Sequence, residues 1–95
     1  MKLQLSGLIE LDLSDISQFI AQSSVKYAQI TVEKLRAEVK EIGRHPEHYQ
    51  LRPDIGPGTR SSTIGSYVIL FRITDDIVRI ERILHGGRNL SSLLQ

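Results

Sequence analysis

The chain contains no cysteine, which rules out a disulfide framework and thiolate metal sites and fits a reducing compartment. It has no apolar run near the roughly 20 residues needed to cross a bilayer. Its opening, Met1-Lys2-Leu3-Gln4-Leu5, is too short for a secretory leader. These absences predict a cytoplasmic protein with no membrane partner. Two further absences are local: no lysine occurs after Lys40, and no tyrosine after Tyr67.

What remains is ordinary for a globular chain. Hydrophobic residues make up 40% and charged residues 24% of 95 residues, too apolar for disorder and enough for one modest core. A single domain over residues 1–95 is expected. The second half is basic through Arg52, Arg60, Arg72, Arg79, Arg82 and Arg88 alone. Guanidinium forks bind carboxylate and phosphate with defined geometry, so this half reads either as a recognition surface or as a set of solvated and paired strand residues.

Periodicity divides the chain. Ile9, Leu13, Ile16 and Ile20 form one stripe of an amphipathic helix, with Ser6 as its expected N-cap. Ser23-Ser24 interrupts the pattern. Val25, Ala28, Val32, Leu35, Val39 and Ile42 then form a second seam, which Gly43 in a left-handed cap and Pro46 should end. The short connection makes the two helices an antiparallel hairpin. Residues 2–5 form a short strand, and 59–64, 67–73 and 77–84 form three more by their β-branched content and turn signals. The expected fold is α+β: an N-terminal strand, then a helical hairpin on one face of a three- to four-stranded antiparallel sheet.

Thr74-Asp75-Asp76 is a natural tight turn. An uninterrupted ladder from it pairs Ile73 with Val78, Phe71 with Ile80, Ile69 with Arg82 and Tyr67 with Leu84 on the core face. The other face then pairs Arg72 with Arg79, Leu70 with Glu81, Val68 with Ile83 and Ser66 with His85. In this register Arg82 lies among core residues and needs a partner. Asp12, at the edge of the first helical stripe, is the candidate, giving a structural Asp12–Arg82 ion pair.

Several familiar signals fail. Gly56-Pro57-Gly58-Thr59 lacks the spacing and lysine of a phosphate loop. His45-Pro46-Glu47-His48 lies in a proline loop without further ligands, so no metal is expected. His85 and Arg88 across Gly86-Gly87 offer an imidazole and a guanidinium at a strand end, suited to acid/base and phosphate roles or simply to closing a strand.

The run Leu51-Arg52-Pro53-Asp54-Ile55-Gly56-Pro57-Gly58-Thr59-Arg60, followed by Tyr67-Val68-Ile69-Leu70-Phe71-Arg72 and by Val78 to Arg88 with its His85-Gly86-Gly87-Arg88 ending, resembles the ParE branch of the RelE/ParE toxin superfamily. Asp12-Leu13 with Ile16 and Ile20 is similar to that family's first helix. The resemblance implies the toxin of a bacterial type II toxin–antitoxin pair, neutralised by a cognate ParD-like antitoxin, using no cofactor and poisoning DNA gyrase. Direct nucleic-acid binding is not expected outside such complexes. The alternative is the RelE-type activity, ribosome-dependent mRNA cleavage. Where such nucleases carry an arginine after the strand tyrosine, this chain has Val68, and Gly86 follows His85 where some have tyrosine. No catalytic residue is nominated. Target contact is assigned to Arg60, Arg72, Arg79, His85 and Arg88.

Overall fold

A computed structural model of the chain describes residues 1–87 and Leu90. The order is β1 (Lys2–Leu5), α1 (Ile9–Ala21), α2 (Val25–Arg44), a 3-10 turn (Pro46–His48), β2 (Gln50–Leu51), β3 (Thr59–Ile64), β4 (Tyr67–Thr74) and β5 (Ile77–His85). The strands make one sheet in the order β1-β5-β4-β3-β2. It exceeds the expected three or four strands because the two-residue β2 adds to β3. Nor is it wholly antiparallel, since β1 runs parallel to β5. A parallel pair needs a long crossover, and here everything from α1 to β4 supplies it.

Both helices form where the stripes predict. Ser24 caps α2, its hydroxyl accepting from the Tyr27 N–H at 3.1 Å. Ser6 does not cap α1. That helix starts after Leu8, and the Ser6 hydroxyl instead donates to the Glu81 carbonyl at 2.7 Å. Gly43 is helical rather than a left-handed cap. A Cβ there would lie 3.5 Å from the Leu3 side chain, an ordinary van der Waals contact, so α2 packs beside β1 at this point without requiring a glycine. Left-handed backbone occurs instead at Asp75, Gly58 and Gly65, the last in the two-residue turn between β3 and β4.

Ile9, Leu13 and Ile16 of α1 and Leu35, Val39 and Ile42 of α2 pack on Ile69, Phe71, Val78, Ile80 and Ile83 of the sheet. Val25, expected in the seam, is exposed, and Thr31 is buried instead. The second face of the sheet, expected to be open, is covered over part of its area: Val68, Leu70 and Leu84 pack with Ile55 from the loop before β3 and with Leu90.

The β4–β5 ladder follows the expected register from the Asp75-Asp76 turn as far as Phe71 opposite Ile80, and then shifts. Glu81 is an extra residue, a β-bulge, so Arg82 lies opposite Leu70, Ile83 opposite Ile69, Leu84 opposite Val68 and His85 opposite Tyr67. The reason is burial. An uninterrupted ladder would place Arg82 under the helices and turn Ile83 away, whereas the bulge moves Ile83 into the core and frees Arg82.

Arg82 and Asp12 meet through this shifted ladder. Arg82 Nε and Nη2 donate to the two Asp12 carboxylate oxygens, each at 2.9 Å, and the Ile83 N–H donates to Asp12 Oδ2 at 3.0 Å. Side-chain exposure is 18% for Arg82 and 6% for Asp12. Removing one member of a buried pair costs about 3–5 kcal/mol, and a guanidinium that can turn toward water sets the lower end. Asp12→Ala is therefore expected to lower unfolding free energy by about 3 kcal/mol and Arg82→Met by a similar amount, read by urea denaturation. The double variant should cost clearly less than the two losses added; strict additivity would show that the groups do not interact.

Candidate functional site

The five residues assigned to target contact do not form one cluster. Arg72 of β4 and Arg79 of β5 are directly opposite each other. They lie on the face away from the helices, in a row running from Thr59 of β3 to Gln4 of β1. Like charges in such positions oppose pairing. Glu81 relieves one of them, with its Oε2 3.5 Å from Arg79 Nε. Among the described residues Arg72 has no carboxylate partner. The Thr59 hydroxyl beside it is fully buried and, among the described residues, makes no hydrogen bond.

Arg60 has a structural place. It lies opposite Phe71 on the helix side of the sheet, and its Nη1 donates to the Tyr49 carbonyl at 2.7 Å, joining β3 to the segment leaving the 3-10 turn. His85 ends β5 on the same side. Its ring stands edge-on to Tyr67 with centroids 5.7 Å apart, and its Nδ1 accepts from the Gly87 N–H at 3.1 Å, which leaves the ring proton on Nε2. Arg88 lies outside the described residues.

Sequence reasoning missed a concave surface at the end of the hairpin. A groove of about 440 Å³ runs between α1 and the end of β5, lined by Asp15, Ile16, Phe19, Tyr67, Arg82 and His85 among others. A second hollow of about 300 Å³ shares Phe19, Tyr67 and His85 and continues past Tyr27, Lys34 and Ile64. Phe19 is 68% and Tyr27 60% exposed, so large aromatic area faces water at this end of the hairpin. The available signal was Phe19 itself, an aromatic residue just off the Ile9–Ile20 stripe.

Around Arg60, the Tyr49 ring packs edge-on against Phe71 at 5.6 Å. Burial, with the neighbouring Glu38 and Glu41 carboxylates, pushes the Tyr49 phenol up to about 12. Glu38 also accepts from the Ser62 hydroxyl. The unfolded chain loses this proton near pH ~10 and the folded chain only near 12, so between the two the unfolded state binds fewer protons. Stability is therefore fully present below about pH 10 and falls as pH rises toward 12. Tyr49→Phe should remove that part of the alkaline decline, and a 295 nm titration of the native protein should lose its latest tyrosine step. An unchanged profile would refute the assignment.

A second expectation concerns the arginine pair. Arg72→Thr relieves the repulsion and adds a strand-favouring residue, so it should stabilise the fold by up to about 1 kcal/mol. Arg79→Thr should gain less, because it leaves Glu81 unpaired. Urea titrations at low and high salt measure both, and the gain from Arg72→Thr should shrink as salt rises. A loss of stability in Arg72→Thr would show that its guanidinium has a partner.

A family model described as the ParE toxin of the type II toxin–antitoxin system parDE matches residues 3–90. Among solved structures, the chain is similar to one in the chromosomal ParDE system from P. aeruginosa, with a TM-score of 0.77 and 23% identity over 90% of this chain and 95% of that one. It is also similar to a chain of the toxin–antitoxin complex RelBE2 from Mycobacterium tuberculosis, with a TM-score of 0.54 and 25% identity over 88% and 95%. A search of curated proteins finds no match.

Proposed function

This chain belongs to the ParE toxin family of type II toxin–antitoxin systems, and from that premise we propose that it poisons DNA gyrase, blocks replication and is held inactive by a cognate ParD-like antitoxin. One observation carries the choice of a binding mechanism over RNA cleavage. The unrelieved guanidinium of Arg72 and its neighbour Arg79 project from one face of the sheet, while His85 and Tyr67 lie on the other. Cleavage needs a phosphate clamp and an acid/base group within hydrogen-bond reach of the same substrate atoms. Among the described residues no imidazole or phenol accompanies Arg72 and Arg79, the arginine that shares a groove with Tyr67 and His85 being Arg82, which Asp12 holds, and that arrangement suits a carboxylate-bearing protein surface bound by charge.

The antitoxin reading rests on the other face. An aromatic groove with Phe19 and Tyr27 exposed fits the apolar side of an amphipathic segment, by the groove-docking mode common to helical ligands. Phe19 contributes little to the fold at its exposure, so Phe19→Ala should leave stability within about 0.5 kcal/mol while weakening antitoxin capture about tenfold or more.

The gyrase reading is tested by a supercoiling assay run beside a ribosome-dependent mRNA cleavage assay. The wild-type chain should inhibit gyrase and cut no message. Arg72→Ala with Arg79→Ala should fold normally and weaken inhibition in a graded, salt-dependent way. Cleavage of mRNA on ribosomes that His85→Ala abolishes would overturn the proposal in favour of an endoribonuclease.

A further inference from the structure

Among the described residues β1 is an edge strand, hydrogen-bonded on one side only. The N–H groups of Lys2 and Ser6 point inward, donating to the Asp76 carbonyl at 3.0 Å and the Ile80 carbonyl at 2.9 Å. Strand alternation then directs both the N–H and the C=O of Leu3 and Leu5 outward. Neither proline nor a bulge interrupts this edge, and Lys2 is its one charge, so the usual protections against strand addition are weak. The side chains beside it are aliphatic and exposed: Leu3 and Leu5 at 39% and 44%, then Leu8 and Leu11 at 46% and 62%.

We propose that this edge pairs with β1 of a second copy of the chain, antiparallel about a two-fold axis at Gln4, joining two five-stranded sheets into one. In that register Gln4 faces its own counterpart and Leu3 of each copy faces Leu5 of the other. The outward groups of Leu3 and Leu5 then form four N–H···O=C bonds, and all four leucines share the helix side. Lys2 faces Ser6 of the other copy. Ser6 is small and sits beside Glu81 of its own β5, bonded to that residue's carbonyl, so the ammonium extends across it toward the Glu81 carboxylate. Charge selects this axis over its neighbour. Centring on Leu3 would place Lys2 opposite Gln4, whose partner in the sheet is Arg79, and would bring like charges together.

The test uses the intact chain. Sedimentation equilibrium should show a dimer that dissociates on dilution. Leu5→Pro removes an outward donor without touching the bonds to β5 and should weaken the dimer about tenfold or more, two hydrogen bonds being lost per dimer by symmetry. Gln4→Glu gains Arg79 within each copy but opposes two carboxylates at the axis, so it should weaken association about two- to five-fold. The chain has no cysteine, which makes trapping clean. A non-hydrogen-bonded antiparallel pair brings Cα atoms to about 4.5 Å, within disulfide range, so Gln4→Cys should oxidise to a covalent dimer far faster than Lys2→Cys. Should Leu5→Pro fail to fold, the trapping result decides alone. A monomer into the sub-millimolar range overturns the proposal, as does a dimer that Gln4→Cys does not trap. So does a monomer whose Leu3 and Leu5 amides become protected from exchange only when an antitoxin is added, which assigns the edge to that partner.

Discussion

Asp12 accepts three hydrogen bonds with one carboxylate, two from the Arg82 guanidinium and one from the Ile83 backbone N–H. Their location explains their weight. β1 covers one edge of β5 only as far as Ile80, and beyond that point, among the described residues, β5 has no strand on that side. The carboxylate of α1 takes the role of the missing strand, accepting from a buried N–H that would otherwise be unsatisfied, at a cost of about 1–3 kcal/mol. Arg82 supplies the countercharge that makes a buried carboxylate tolerable. The junction thus fixes where α1 crosses the sheet and where β5 must bulge.

From that bulge follows the division of the surface. The extra residue at Glu81 puts Ile83 in the core, sets His85 against Tyr67 and helps form the groove beneath Phe19. The ladder between the bulge and the turn keeps its simple register, and there Arg72 and Arg79 stand together on the opposite face. One sheet therefore presents an aromatic hollow on the helix side and a guanidinium pair on the other.

Much of this was legible in the sequence, for definite reasons. The Ile9–Ile20 and Ala28–Ile42 spacings specify amphipathic helices, Ser24 can act as a cap, and Asp75-Asp76 can turn a hairpin. The N-terminal strand and helical hairpin could be read for the same reasons, as could the family resemblance. The bulge could not, because an uninterrupted ladder already gives β5 a core face of Val78, Ile80 and Leu84 broken only by Arg82, and nothing in the alternation marks Glu81 as an extra residue. The Asp12–Arg82 pair is present, but Arg82 lies opposite Leu70 and not Ile69. The second small core was hidden because Ile55 and Leu90 are isolated apolar residues in stretches that read as loop and tail. β1 carried no signal of parallel pairing, since pairing with β5 depends on topology across most of the chain. Gly43 was misread because a glycine near a helix end usually marks a cap, whereas here α2 continues through it to Arg44.

A carboxylate stands in for a strand at the end of β5, and amide hydrogen exchange at Ile83 tests this most directly. In the wild-type chain the Ile83 N–H should exchange as slowly as the core amides, through global unfolding. In Asp12→Ala, under conditions where the fold is still largely populated, it should exchange by local opening, together with its neighbours beyond the bulge, while the amides of 78–80 stay protected. An Ile83 amide that exchanges quickly in the wild type, or one whose protection survives loss of the Asp12 carboxylate unchanged relative to the core, would contradict it.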